Sequence, residues 1–106
     1  MYKPLPASLT IKESGVHGLG LFANQNIKQA TNLGMTHLKI GDTIFRTPLG
    51  GFINHSNTPN CEKAELRMTH EDKQGHQHSY KKWNLITRQN IKKGEEITLR
   101  YTFYNV

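Results

Sequence analysis

The chain has 106 residues, and 14 Lys and Arg against 8 Asp and Glu leave it at +6 at pH 7. That length allows one small domain, residues 1–106, and Leu, Ile, Phe and Val together supply 24 of the 106 residues, just above the roughly one-fifth share below which composition alone predicts disorder. No apolar run approaches the ~18 residues needed to span a bilayer, and the opening MYKPLPASLTIKES lacks the continuous apolar segment of a signal peptide, so membrane insertion and secretion are not expected.

Ser8 to Lys12 alternates apolar Leu9 and Ile11 with polar neighbours and reads as a half-buried strand; Gly15, Gly18 and Gly20 interrupt it with a loop, and Leu21 to Ala23 begins a second strand. From Asn24 to Lys39 the apolar residues Ile27, Leu33, Met35 and Leu38 are scattered, which predicts irregular structure with at most one short helix. Gly41-Asp42 is a turn pair, Thr43 to Thr47 a β-branched and aromatic strand, and Pro48, Gly50 and Gly51 a loop. Glu65 to His70 and Trp83 to Thr87 read as strands flanking a long polar connection, His70 to His78. Finally Ile91, the turn Lys92-Lys93-Gly94, and Ile97, Leu99, Tyr101 and Phe103 at period two give a terminal strand with one buried face. The class is mainly β, with many short strands. No repeat or linker divides it.

Cys61 is the single cysteine; it can form no intramolecular disulfide and no cysteine-based structural zinc site, which fits a reducing compartment. A +6 charge permits attraction to a polyanion, although lysines kept for solubility are its commoner origin.

Three segments carry chemistry. Gly15-Val16-His17-Gly18-Leu19-Gly20-Leu21-Phe22-Ala23 places glycines where backbone N–H and C=O groups can approach a ligand, although a loop needing positive φ explains it as well. Gly51-Phe52-Ile53-Asn54-His55-Ser56-Asn57-Thr58-Pro59-Asn60-Cys61 is a dense polar run that an Asx-type turn also explains. Lys93-Gly94-Glu95-Glu96-Ile97-Thr98-Leu99-Arg100-Tyr101 ends a strand in a tyrosine that, taken alone, reads as a core or edge residue.

In this order and spacing the three segments, with the lead-in Thr87-Arg88-Gln89-Asn90-Ile91, resemble the SET-domain protein lysine methyltransferases. The resemblance implies a β-clip fold of several small curved sheets with a threaded, pseudoknot-like C-terminal segment, and S-adenosylmethionine as cofactor. It implies that His17, Gly18, Leu19, Gly20, Asn54 and His55 hold the cofactor, with Asn54 to Asn60 forming its other wall. Tyr101 becomes the catalytic residue, and Leu99, Phe103 and Tyr104 line the substrate channel. Methyl transfer from a sulfonium is an in-line displacement that needs alignment more than acid–base chemistry, and a neutral tyrosine hydroxyl suits that task. Desolvation in an apolar channel beside a sulfonium charge deprotonates the target lysine without a dedicated base.

The chain departs from the family pattern at several positions. Asn57 stands where many members carry a zinc-binding cysteine, so the likeness is to minimal, virus- or bacteria-like members without a zinc-bound cysteine-rich tail. Arg100 replaces an acidic residue, Leu99 a Phe or Tyr that controls methyl number, and Ala30 a common glycine. The expected function is methyl transfer to a protein or peptide lysine in the cytoplasm or nucleus (the host's, for a viral protein), with a homodimer covering part of the channel rim. The competing reading is a catalytically silent module that keeps the fold. Two further readings rank lower. His70, His76 and His78 with Cys61 match no standard metal spacing, so no metal is expected; Lys81-Lys82-Trp83 with Lys92-Lys93 offers a basic face for nucleic acid, but no nucleic-acid motif accompanies it.

Overall fold

A computed structural model of the protein describes residues 5–15 and 18–100. The elements in chain order are β1 (Leu9–Glu13), β2 (Leu19–Ala23), β3 (Asn32–Ile40), β4 (Thr43–Arg46), the one-turn helix α1 (Pro48–Phe52), β5 (Asn54–His55), β6 (Cys61–Glu71), β7 (Gln77–Thr87) and β8 (Glu96–Leu99). Strands follow one another in the order β1-β2-β8-β6-β7-β3-β4, with β5 attached to β8. The molecule is elongated, 49 × 32 × 24 Å, because β6 and β7 form an 11-residue-per-strand hairpin that runs past the core.

The last strand sits in the middle. β8 pairs antiparallel with β2 through Leu21↔Ile97, and parallel with β5 through Asn54↔Thr98 and His55↔Leu99. Leu99 also pairs with Cys61 at the start of β6. Both ends of the Asn54–Cys61 loop are therefore bound to β8, which is the threaded arrangement implied by the resemblance. Side chains tighten this wrap. Asn60 Nδ2 donates to the Glu96 carbonyl at 2.8 Å, and Asn60 Oδ1 accepts from the Thr98 N–H at 2.8 Å, so Asn60 supplies the ladder bonds a further strand would have made. The core gathers where these strands meet, with Leu21, Leu85 and Ile97 fully enclosed.

Four expectations need correction. Residues 32–40, expected to be irregular, form β3; register shifts between Asn32 and Gly34 and between Met35 and His37 are bulges that break period-two alternation and bury the adjacent polar pair Thr36 and His37. The expected loop after Thr47 contains α1: the Thr47 side chain caps it by accepting from the Gly50 N–H at 3.3 Å, and Pro48 occupies the first turn. Only residues 72–76 connect β6 to β7; paired strands continue to Glu71 and Gln77, since main-chain pairing proceeds where polar side chains face water on both sides. Asp72 shapes that tip, its Oδ1 accepting from the Gln74 and His76 N–H groups at 2.9 Å. Fourth, β2 begins at Leu19, so Gly20 is a strand residue.

Candidate active site

The first glycine segment is closed by Ser14, whose N–H donates to the Gly18 carbonyl at 2.7 Å. Gly18 adopts φ +46°, where a side chain would be strained, with open space beside its Cα. Gly20 is needed for a different reason: a Cβ there would lie 2.8 Å from Asn54 Nδ2 and would collide with the Glu96 carboxylate. Its missing side chain makes room for the protein's own polar groups.

Those groups join the three segments. Asn54, carried to the sheet centre by β5 and 7% exposed, donates through Nδ2 to the Leu19 carbonyl at 3.2 Å and to Glu96 Oε2 at 2.8 Å. Ser14 Oγ donates to the same carboxylate at 2.8 and 3.0 Å. Glu96 thus receives one flank of the glycine loop through Ser14 and the amide of the central motif, which itself holds the other flank at Leu19. Sequence reasoning missed Glu96 and Ser14, because an acidic residue alternating with buried Ile97 and Leu99 looks solvent-facing; only the register reveals its partners. His55 is half-buried, its backbone pairs with Leu99, and its Nε2 lies 3.1 Å from Asn57 Oδ1. Ser56 Oγ accepts from the Thr58 N–H at 3.0 Å, the hydroxyl version of the turn read in this segment.

Of the expected site residues, Gly18, Leu19, Gly20, Asn54 and His55 come together around the β2–β8–β5 junction. Leu99 lies one strand register away, 4% exposed, and lines a cleft of about 310 Å³ with Cys61, Lys63, Glu65, Trp83 and Arg100. His17, Tyr101, Phe103 and Tyr104 lie outside the described residues. Asn60, the last residue of the run expected to wall the cofactor, has both ends of its side-chain amide on β8.

Burial shifts two ionisable groups beside the Leu99 cleft. Burial, with the Glu62 carboxylate adding to it, pushes the Cys61 thiol up to about 12, so it is no thiolate nucleophile at neutral pH. Burial lowers the Lys63 ammonium below its ordinary value. Among the described residues no group of three His, Cys, Asp or Glu side chains is placed to hold a metal. His76 and His78 both turn to Asp72, with His78 Nε2 at 2.9 Å, while Cys61 starts the hairpin at its other end. The Lys81-Lys82-Trp83 run is divided by the strand: Lys81 and Trp83 share one face and Lys82 takes the other. No helix among the described residues is long and apolar enough to cross a membrane.

Comparison with known proteins agrees with this geometry. Residues 36–102 match the family model of the SET domain. The crystal structure of a Plasmodium falciparum protein, described as a candidate histone methyltransferase, superposes with a TM-score of 0.65 at 18% identity, covering 92% of this chain and 95% of that one. At that identity the likeness shows a shared fold. No curated protein matches the sequence. With a family model spanning more than half of its length and the threaded strand in place, the chain belongs to the SET-domain family.

Proposed function

We propose that the protein is an S-adenosylmethionine-dependent methyltransferase that modifies the ε-amine of a protein lysine. The observation that carries this reading is the Asn54 amide, which ties the Leu19 carbonyl and the Glu96 carboxylate to one point and so joins three segments far apart in sequence.

The residues fit the cofactor. Gly18 presents backbone beside open space at φ +46°, and the neighbouring Leu19 is 50% exposed, so a ligand can approach this main chain closely. In the proposed site His17, Gly18 and Leu19 contact the cofactor on one side and Asn54 and His55 on the other, while Gly20 acts by admitting Asn54 and Glu96. S-adenosylmethionine supplies a methyl group activated by its sulfonium. The chain's task is then alignment and desolvation. Leu99, with Phe103 and Tyr104, forms the apolar channel that strips water from the target ammonium and favours its neutral form. Tyr101 orients the amine through its neutral hydroxyl.

Isothermal calorimetry tests the reading. The wild type is expected to bind S-adenosylmethionine at one saturable site, and Asn54→Ala to weaken that binding at least about tenfold through loss of two hydrogen bonds, one to a charged group. Tyr101→Phe should keep the affinity and lose methyl transfer. A folded wild type without saturable binding, or an Asn54→Ala protein that binds unchanged, sinks the proposal.

A further inference from the structure

Lys39, Lys81 and Arg67 stand directly opposite one another on β3, β7 and β6, in the registers Lys39↔Lys81 and Arg67↔Lys81. Adjacent strands are only about 4.8 Å apart, and like charges facing each other there are destabilising. The only ion pair made by the three among the described residues is Arg67 with Glu65 at 4.0 Å, between side chains 76% and 45% exposed. Such a pair neutralises little. The next row on the same face is Ser79↔Thr69, and these hydroxyls and the three cations line a cavity of about 320 Å³. Three cations, of which only Arg67 has an ion pair among the described residues, and two hydroxyl donors are groups suited to carboxylates or another compact anion.

This cavity lies farther along the same strand face as the cleft at Leu99. Along β6 the alternate residues Cys61, Lys63 and Glu65 line the first cavity, and Arg67 and Thr69 the second; on β7 Trp83 is followed by Lys81 and Ser79. One strand face therefore runs from the residue paired with Leu99 to the cationic row. Six positions separate Cys61 from Arg67, and at about 3.3 Å per residue this is a track of roughly 20 Å, which an extended peptide covers in about six residues.

We propose that the substrate of this enzyme carries an acidic segment about six residues from the target lysine, and that this segment docks on Lys39, Lys81 and Arg67. The proposal rests on the methyltransferase reading and adds the substrate class. The +6 net charge works in its favour, drawing acidic partners and repelling very basic ones. A nucleic-acid backbone fits less well, because it would carry phosphates along the whole track and meet Glu65 and Glu62 beside the Leu99 cleft, where the cations are no longer alone.

Fluorescence anisotropy on labelled peptides decides the matter. Each probe has one lysine in a Gly/Ser chain, with a triglutamate block about six residues to its N-terminal or C-terminal side, at half that spacing, or replaced by alanines. One of the two six-residue probes should bind at least about tenfold tighter than the alanine probe, and this preference should vanish in Lys81→Glu/Arg67→Glu. That reversal leaves positions 67 and 81 alike in charge, as they are in the wild type, and places an opposite charge across from Lys39, so it should not cost the fold; circular dichroism checks this. Lys92→Glu/Lys93→Glu, with the same net charge change placed in the turn before β8, should alter affinity less than about twofold. Equal affinity at both spacings, equal loss in the two reversals, or displacement of the peptide by a tighter-binding single-stranded oligonucleotide overturns the proposal. Peptide binding needs no cofactor, so a spacing preference in a protein that fails the calorimetric test would reject methyl transfer and leave the docking face standing.

Discussion

Acid should unfold this protein through one histidine. His37 sits on β3, 6% exposed, opposite Arg46 on β4 and Trp83 on β7, and α1 packs over it so closely that a Cβ on Gly50 would lie 2.9 Å from its Cε1. Its Nδ1 is enclosed without a hydrogen-bond partner among the described residues. Burial first, then the positive charges of Lys63 and Arg46, push its pKa down from 6.5 to about 4. Between those values the unfolded chain holds a proton there and the folded chain does not, so this contribution is complete above pH 6.5 and is lost as the pH falls toward 4. At about 1.4 kcal/mol per pKa unit the loss is about 2 kcal/mol at pH ~5 and about 3 kcal/mol at pH ~4. Asp72 works in a lower window: hydrogen bonds from His78 and from the His76 N–H hold its carboxyl below the usual range, so its contribution is lost only when the carboxylate itself protonates. Trp83, the single tryptophan, lies beside His37 and reports unfolding in urea. Stability measured at neutral pH and at pH ~5 should differ by about 2 kcal/mol in the wild type and by less than about half of that in His37→Leu, which also removes the orphaned Nδ1. Parallel losses in the two proteins would refute the reasoning.

Two other substitutions test the scaffold. Ala30 adopts φ +66°, the left-handed region that costs a side chain about 1 kcal/mol, so Ala30→Gly should stabilise by about 0.5–1 kcal/mol and raise the thermal midpoint by about 4 °C, as read by circular dichroism. Asn60→Ala strips the Thr98 N–H and the Glu96 carbonyl of their partners and should cost about 2–3 kcal/mol in urea unfolding, with Asn60→Asp recovering only the acceptor half.

Strands whose burial is one-sided were legible from residue order. Leu9 and Ile11 alternate in β1, Ile97 and Leu99 in β8, and both fall where period two puts them. β3 was not legible: its bulges place Thr36 and His37 consecutively in the interior, and Gly34 at φ +121° interrupts the run, so no period survives in the sequence. In the β6–β7 hairpin the strand from Glu65 to His70 was legible, but the outer half of β7, residues 77–82, was not, for the opposite reason. It is solvated on both faces, and its ladder, from Arg67↔Lys81 to Glu71↔Gln77, is carried by main-chain bonds that leave no mark on side-chain choice.

The candidate site divides in the same way. Glycine, asparagine and histidine segments could be picked out because each is locally unusual, and the family resemblance joined them before any geometry did. The division of labour within them was not legible, since it depends on what crosses the gap between segments. At Gly20 the sequence does not reveal the Glu96 carboxylate that lies against it, nor at Asn60 that both ends of the amide are spent on β8. In each case a polar side chain serves the threaded strand: Glu96 anchors it to Ser14 and Asn54, and Asn60 replaces a missing neighbour. A strand inserted last in sequence and central in the sheet cannot be held by local contacts, so long-range polar bonds at Glu96, Asn54 and Asn60 hold it instead, and the same bonds fix Leu99 at the head of the cleft. Threading and site assembly are thus one set of interactions, which is why Asn54, read in the sequence as a cofactor-holding residue, is structural as well.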